Sequence, residues 1–61
     1  MTVRELTDCT NFRQEIRLMK EKGDSILFLY EGVNDKLRDK ELLEKKVCYV
    51  GTDKDVLEIR V

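Results

Sequence analysis

The fold is decided by the stretch Ile26-Leu27-Phe28-Leu29-Tyr30, five consecutive apolar residues with a glycine a short distance before and after them. This run predicts a strand, and because successive side chains of a strand point to opposite faces, it requires cover on both sides. The last segment, 56–61, alternates apolar and charged residues instead, which is typical of a strand with one face in water. Together the two patterns predict a small sheet that either packs helices around its centre or meets a partner.

The segment before the apolar run, residues 12–22, fits two interpretations. Phe12, Ile16 and Met19 have helical spacing, whereas residues 15–18 alternate as in a strand. The apolar run needs a neighbouring strand, and a hairpin that turns at Gly23 supplies one with the shortest loop. We therefore expect a strand over residues 14–20, paired with 25–31.

A helix is predicted after the apolar run, from Asn34 or Asp35 to Lys46. Asp39 is an alternative N-terminal cap, in which case the first turn would be a loop. The buried side of this helix would consist of Leu37, Leu42 and Leu43.

A shorter helix is predicted at the N-terminus. Thr2 and Glu5 have the spacing of a capping box, in which each residue's side chain bonds to the backbone of the other. Val3 and Leu6 would lie on the buried side of this helix, and the polar cluster 8–11 would end it.

The C-terminal third of the chain predicts a second hairpin, with strands at 47–50 and 56–61 around a turn at 51–55. The complete order is α-β-β-α-β-β. We expect an α+β fold in one domain over residues 1–61, with a small, mainly antiparallel sheet of about four strands in two hairpins and two short helices.

Composition limits the classes of function. The chain has 61 residues, 12 of them basic and 13 acidic, for a net charge of −1. Near-neutral charge argues against strong attraction to nucleic acid or to an anionic membrane. No apolar run is long enough to span a bilayer and the N-terminus is mixed and polar, so a cytoplasmic location is expected.

The two cysteines, Cys9 and Cys48, lie 39 positions apart in a chain without histidine. Zinc sites use closely spaced cysteine and histidine pairs, and neither cysteine has such a neighbour. We expect two buried, reduced thiols that behave as small apolar side chains, and no metal or cofactor.

Residues suited to catalysis are scarce. Ser25 is the only serine and no histidine can activate it. Asp53 and Asp55 form a carboxylate pair, but their position in a predicted turn explains them without acid–base chemistry. We expect no enzymatic activity.

Basic residues concentrate in the predicted second helix. The candidate basic face consists of Lys36, Arg38, Lys40, Lys45 and Lys46, with Arg13, Arg17, Lys20 and Lys22 as further candidates. Four acidic residues between positions 35 and 44 interleave with them, which is typical of a solvated helix surface. This interleaving weakens the case for nucleic-acid binding, so we keep a role as a nucleic-acid-binding accessory or regulatory protein only as the alternative.

Several short motifs are spread over nearly the whole chain: Met1-Thr2-Val3-Arg4-Glu5-Leu6, Glu15-Ile16-Arg17-Leu18, Tyr30-Glu31-Gly32, Leu37, Leu42-Leu43, Val47 and Val56-Leu57-Glu58-Ile59-Arg60-Val61. In these motifs the chain resembles a group of small uncharacterised proteins from bacterial phage and prophage regions. Arg38 stands where the group has proline, and the leucine pair lies one residue later. The resemblance implies the fold and a prophage context, and no activity.

We expect a small, non-enzymatic module that binds a host or phage protein or associates with itself as a homodimer. If the apolar run alternates regularly, Ile26, Phe28 and Tyr30 face the helices, and two leucines face water. The predicted interaction patch consists of Leu27, Leu29, Cys48 and Val50. A patch of a few hundred Å² marks interaction sites on small proteins.

Overall fold

Two hairpins lie side by side and form the sheet of this protein. The structure is a computed structural model that describes residues 1–61. The elements are α1 (Val3–Asp8), β1 (Glu15–Lys22), β2 (Ser25–Val33), a 3₁₀ turn (Asn34–Lys36), α2 (Lys40–Leu43), β3 (Tyr49–Asp53) and β4 (Val56–Arg60). The predicted α+β class and the order α-β-β-α-β-β are confirmed.

The strand order in the sheet is β2-β1-β4-β3. β1 and β4 lie parallel at the centre, and each pairs antiparallel with its own hairpin partner, so the sheet is mixed. The apolar run therefore lies in an edge strand. The chain itself does not supply the cover on both sides that this run requires, since Ile26, Leu27 and Phe28 are all exposed.

Residues 15–22 form a strand, so the strand interpretation of this segment is confirmed and the helical one is wrong. The hairpin turns at Gly23, which has a φ of 63°, a left-handed conformation that favours glycine. Leu18 pairs with Tyr30 and Met19 with Phe28, which leaves Leu29 as an unpaired bulge residue. The bulge interrupts the alternation of faces along β2.

The hydrophobic core lies between one face of the sheet and the segments that cross it. Its buried residues are Val3, Ile16, Leu18, Leu37 and Ile59. The molecule is 17 Å thick in its shortest dimension. Because packed layers lie about 10 Å apart, this thickness accommodates two layers, and the other face of the sheet remains uncovered.

The predicted capping box of α1 is confirmed: the Glu5 backbone N–H donates to the Thr2 hydroxyl, and the Thr2 backbone N–H donates to the Glu5 carboxylate. Val3 is fully buried and Leu6 is half-buried, as expected. At the other end of α1, the buried Asn34 amide donates to the carbonyl oxygens of Thr7, Thr10 and Asn11 at 3.1–3.2 Å. Asn34 thus ties the chain after β2 to the end of α1.

The second helix is much shorter than predicted. It spans four residues, with Asp39 as its cap accepting from the backbone N–H groups of Glu41 and Leu42. Asn34 and Asp35 instead belong to the separate 3₁₀ turn. The helix cannot begin earlier because Leu37 is extended where it enters the core.

The second hairpin is confirmed, but its boundaries shift. β3 covers Tyr49–Asp53 rather than 47–50, and the turn is reduced to Lys54 and Asp55. Lys54 adopts a left-handed φ of 57°. Val47 precedes β3 and donates its backbone N–H to the Met1 carbonyl oxygen.

Candidate interaction surface

The uncovered face of the sheet, here called the open face, carries two rows of paired residues. Directly paired residues of neighbouring strands share a face, so the register defines each row. The charged row consists of Glu31, Arg17, Glu58 and Gly51, from β2 across to β3. The aromatic row consists of Phe28, Met19, Arg60 and Tyr49 in the same strand order.

The aromatic row combines exposed rings with a buried centre. Phe28 is 60% exposed and Tyr49 is 52% exposed, whereas Met19 between them is 3% exposed. The Arg60 guanidinium lies 4.9 Å from the centroid of the Tyr49 ring and forms an ion pair with Glu21. Aromatic residues, methionine and arginine are the types enriched in protein interfaces.

Tyr49 is held in place by the glycine two residues further along β3. A Cβ atom added at Gly51 would lie 2.6 Å from the Tyr49 hydroxyl oxygen, so the ring occupies the space that a side chain would fill. In the neighbouring charged row, the Arg17 guanidinium lies 3.6 Å from the Asp53 carboxylate. Gly51 thus leaves room for the Tyr49 ring.

Arg17 is the centre of the charged row. Its Nε donates to the Glu31 carboxylate at 2.8 Å, and its Nη1 lies 3.7 Å from Glu58. The hydrogen bond to Glu31 raises the pKa of Arg17 above its ordinary value. Three carboxylates therefore surround one guanidinium.

Negative charge is in excess over the whole open face. By register and position, it carries two guanidinium groups, those of Arg17 and Arg60, against five carboxylates. The carboxylates are those of Glu15, Glu21, Glu31, Asp53 and Glu58. The rest of the chain holds ten basic and eight acidic side chains. The net charge of the whole chain is therefore close to zero although the open face is acidic.

The predicted interaction patch does not exist as one surface. Leu29 packs against the core cluster, and Leu27 is exposed on β2. Val50 and Cys48 are exposed at β3, the opposite edge of the sheet. Three strand spacings of about 4.8 Å separate the two edges by roughly 14 Å. The bulge at Leu29 and the position of β2 at the edge caused the error.

The residues of the candidate basic face lie at the surface, with acidic residues among them. Lys36, Arg38, Lys40 and Lys46 are exposed and Lys45 is half-buried. Arg38 lies 3.9 Å from Asp35, within the interleaved pattern that the sequence predicted. Arg17 lies on the open face among carboxylates and contributes nothing to a basic face.

Both cysteines are free and exposed, so the prediction that they are buried is wrong. Cys9 caps the end of α1, and Cys48 lies before β3, where its N–H donates to the Arg60 carbonyl oxygen. No cluster of three or more histidine, cysteine or acidic side chains has the geometry to hold a metal ion.

Sequence reasoning missed the open face. The alternation at 56–61 placed Glu58 and Arg60 on a wet face, and the alternation at 15–18 indicated a strand. Neither pattern showed that these two strands are neighbours and that Arg17 shares this face. Tyr49 and Phe28 join them only through pairing across the sheet.

Comparison with models of protein families, with curated proteins and with solved structures gives no significant match to this chain. None of its helices has the length and apolar composition needed to cross a membrane.

Proposed function

We propose that this chain is a small, non-enzymatic protein-interaction module that binds a partner protein through the open face. The observation that carries this proposal is the aromatic row, which exposes Phe28 and Tyr49 on a sheet face that no other element covers. The resemblance to prophage-region proteins supports a phage or host protein as the partner, in the cytoplasm.

The composition of the row favours a protein partner. Tyrosine and arginine are over-represented among the few residues that supply most of the binding energy in protein interfaces. Tyr49 and Arg60 are already stacked, so they need little further ordering when a partner binds. Met19 forms an apolar floor between the two rings.

The charge of the open face specifies the partner further. Five carboxylates against two guanidinium groups repel a phosphate backbone and attract lysine and arginine side chains. We therefore favour a partner with a basic surface over the alternative of a nucleic acid. On the helix side the basic residues are interleaved with acidic ones, such as Asp35 beside Arg38, which weakens the attraction for a nucleic acid.

The proposal is tested by quantitative capture of bacterial proteins on the immobilised chain, before and after phage infection, with and without nuclease. The double variant Phe28→Ser/Tyr49→Ser should lose the captured basic proteins. The matched control is Phe12→Ser, since Phe12 is 59% exposed but lies outside the open face. Circular dichroism should show all variants folded.

Two outcomes would contradict the proposal. Equal capture by the double variant and the parent would place the binding site elsewhere. Capture that disappears on nuclease treatment would favour the nucleic-acid alternative. Binding through the open face should also weaken as salt is raised, because its charges are exposed.

A further inference from the structure

The outer edge of β2 is an unpaired strand edge without the usual protection. Natural proteins protect such edges with lysine or proline, or by covering them. Residues 25–30 contain no charged residue and no proline. Ile26, Leu27 and Phe28 are 47%, 51% and 60% exposed, and the bulge begins only at Leu29.

The register determines which backbone groups of β2 point away from the sheet. Lys22 and Ser25 are paired across the two-residue turn, and residues that flank such a turn bond to each other. Inward and outward orientation alternates along a strand, so Leu27 faces β1. The N–H and C=O groups of Ile26 and Phe28 therefore point outward.

We propose that a second copy of this chain pairs antiparallel with β2 about a two-fold axis at Leu27. In this register Leu27 lies opposite Leu27 of the second copy, and Ile26 lies opposite Phe28 of the second copy. The outward groups of Ile26 and Phe28 then form about four backbone hydrogen bonds between the copies. The product is a continuous eight-stranded sheet.

This register covers apolar surface on both faces at once. Ile26 and Phe28 pair with Glu21 and Met19 of β1, so they share the open face, whereas Leu27 pairs with Lys20 on the helix side. Each face therefore gains an apolar contact, Ile26 with Phe28 on one side and the two Leu27 side chains on the other. A second copy therefore covers the apolar run on both faces, which its own chain does not do.

The sequence of β2 favours a second copy of this chain as the partner at this edge. Pairing about a two-fold axis is isologous and closes after two copies. No charge in residues 25–30 faces a like charge in the partner strand, so the segment is complementary to itself. The other sheet edge, β3, has five residues and carries Asp53, which makes it the poorer site.

The contact is smaller than a standard interface, which buries about 800 Å² per partner. The chain exposes 4550 Å² in total, and one strand edge supplies a minor part of that area. We therefore expect a reversible dimer with a micromolar dissociation constant. Phe28 belongs to both the β2 edge and the open face, so the two proposals are separated by Leu27, which lies at the dimer axis, and by Tyr49, which lies at the far side of the sheet.

Sedimentation analysis from about 1 μM to 1 mM tests the dimer. The parent should convert from monomer to dimer, whereas Leu27→Lys and Leu27→Glu should each remain monomeric because like charges meet at the axis. Mixing these two variants should restore a dimer. Val50→Lys is the matched control, since Val50 is exposed on the other edge, and it should dimerise like the parent.

A second experiment keeps the proposal testable if the charged variants unfold. Leu27→Cys in a Cys9→Ser/Cys48→Ser background should form an interchain disulfide on mild oxidation, because directly opposite residues have the required Cα separation. Val50→Cys in the same background should not. A parent that is monomeric at 1 mM, a dimeric Leu27→Lys variant, or equal cross-linking at both positions would overturn the proposal.

Discussion

Leu18 of β1 and Ile59 of β4 are direct partners in the parallel pairing at the centre of the sheet, and both are fully buried. The two residues belong to different hairpins and are 41 positions apart in the sequence. Their contact, beneath Val3 and Leu37, joins the two hairpins into one sheet with one core.

The first prediction concerns this central pair. Leu18→Ala and Ile59→Ala should each lower the free energy of unfolding by about 2–5 kcal/mol, since each leaves a cavity in a small core. Urea denaturation measures the change. Phe12→Ala is the control and should change stability by about 0.5 kcal/mol at most, because the ring is exposed. Similar losses in all three variants would contradict this account of the core.

The second prediction concerns Asn34. Asn34→Ala should lower the free energy of unfolding by about 1–3 kcal/mol, because it leaves the carbonyl oxygens of Thr7, Thr10 and Asn11 without their shared donor. Asn34→Asp should be worse at neutral pH, since a carboxylate oxygen would face those carbonyls. Urea denaturation of both variants at pH 7 tests the order. An Asp variant as stable as the parent would mean that the amide is not the donor.

The third prediction concerns acid stability. The hydrogen bond from the Thr2 backbone to Glu5 lowers the pKa of Glu5 below its ordinary value of 4.5. A lowered folded pKa means that ionised Glu5 stabilises the folded chain above pH 4.5, and that this contribution is lost as the pH falls through the lowered value. The difference in urea midpoint between the parent and Glu5→Gln should therefore be constant near neutrality and shrink in acid. A difference in urea midpoint that does not change with pH would contradict this role of Glu5.

The fourth prediction concerns Gly51. Gly51→Ala should leave the fold intact and displace the Tyr49 ring from Arg60, because the new methyl carbon would lie only 2.6 Å from the Tyr49 hydroxyl oxygen. Loss of the ring-current shift on the Arg60 side chain in NMR spectra would show the displacement. Gly23→Ala is the contrasting variant: nothing lies within 4 Å of the added atom, but a φ of 63° should cost about 1 kcal/mol of stability. An unmoved ring in Gly51→Ala would contradict the proposed contact.

Local patterns in the sequence determined much of the secondary structure. Thr2 and Glu5 predicted the first helix because a capping box depends only on residues three positions apart. The alternation at 15–18 and the glycine at 23 predicted the first hairpin, since turn chemistry and the period of two are both local. The same logic predicted the second hairpin, with boundaries off by a few residues.

The tertiary structure alone decided which strands are neighbours and which surface is open. Alternating side chains show that a strand has a wet face, but they do not show whether β1 or β2 lies beside β4. The parallel pairing of β1 with β4 moved the most apolar strand to the edge and brought Arg17, Glu58 and Arg60 onto one face. The bulge at Leu29 then turned Phe28 to that face and Tyr30 to the core. Both outcomes depend on packing between segments that are distant in sequence, which no local pattern encodes.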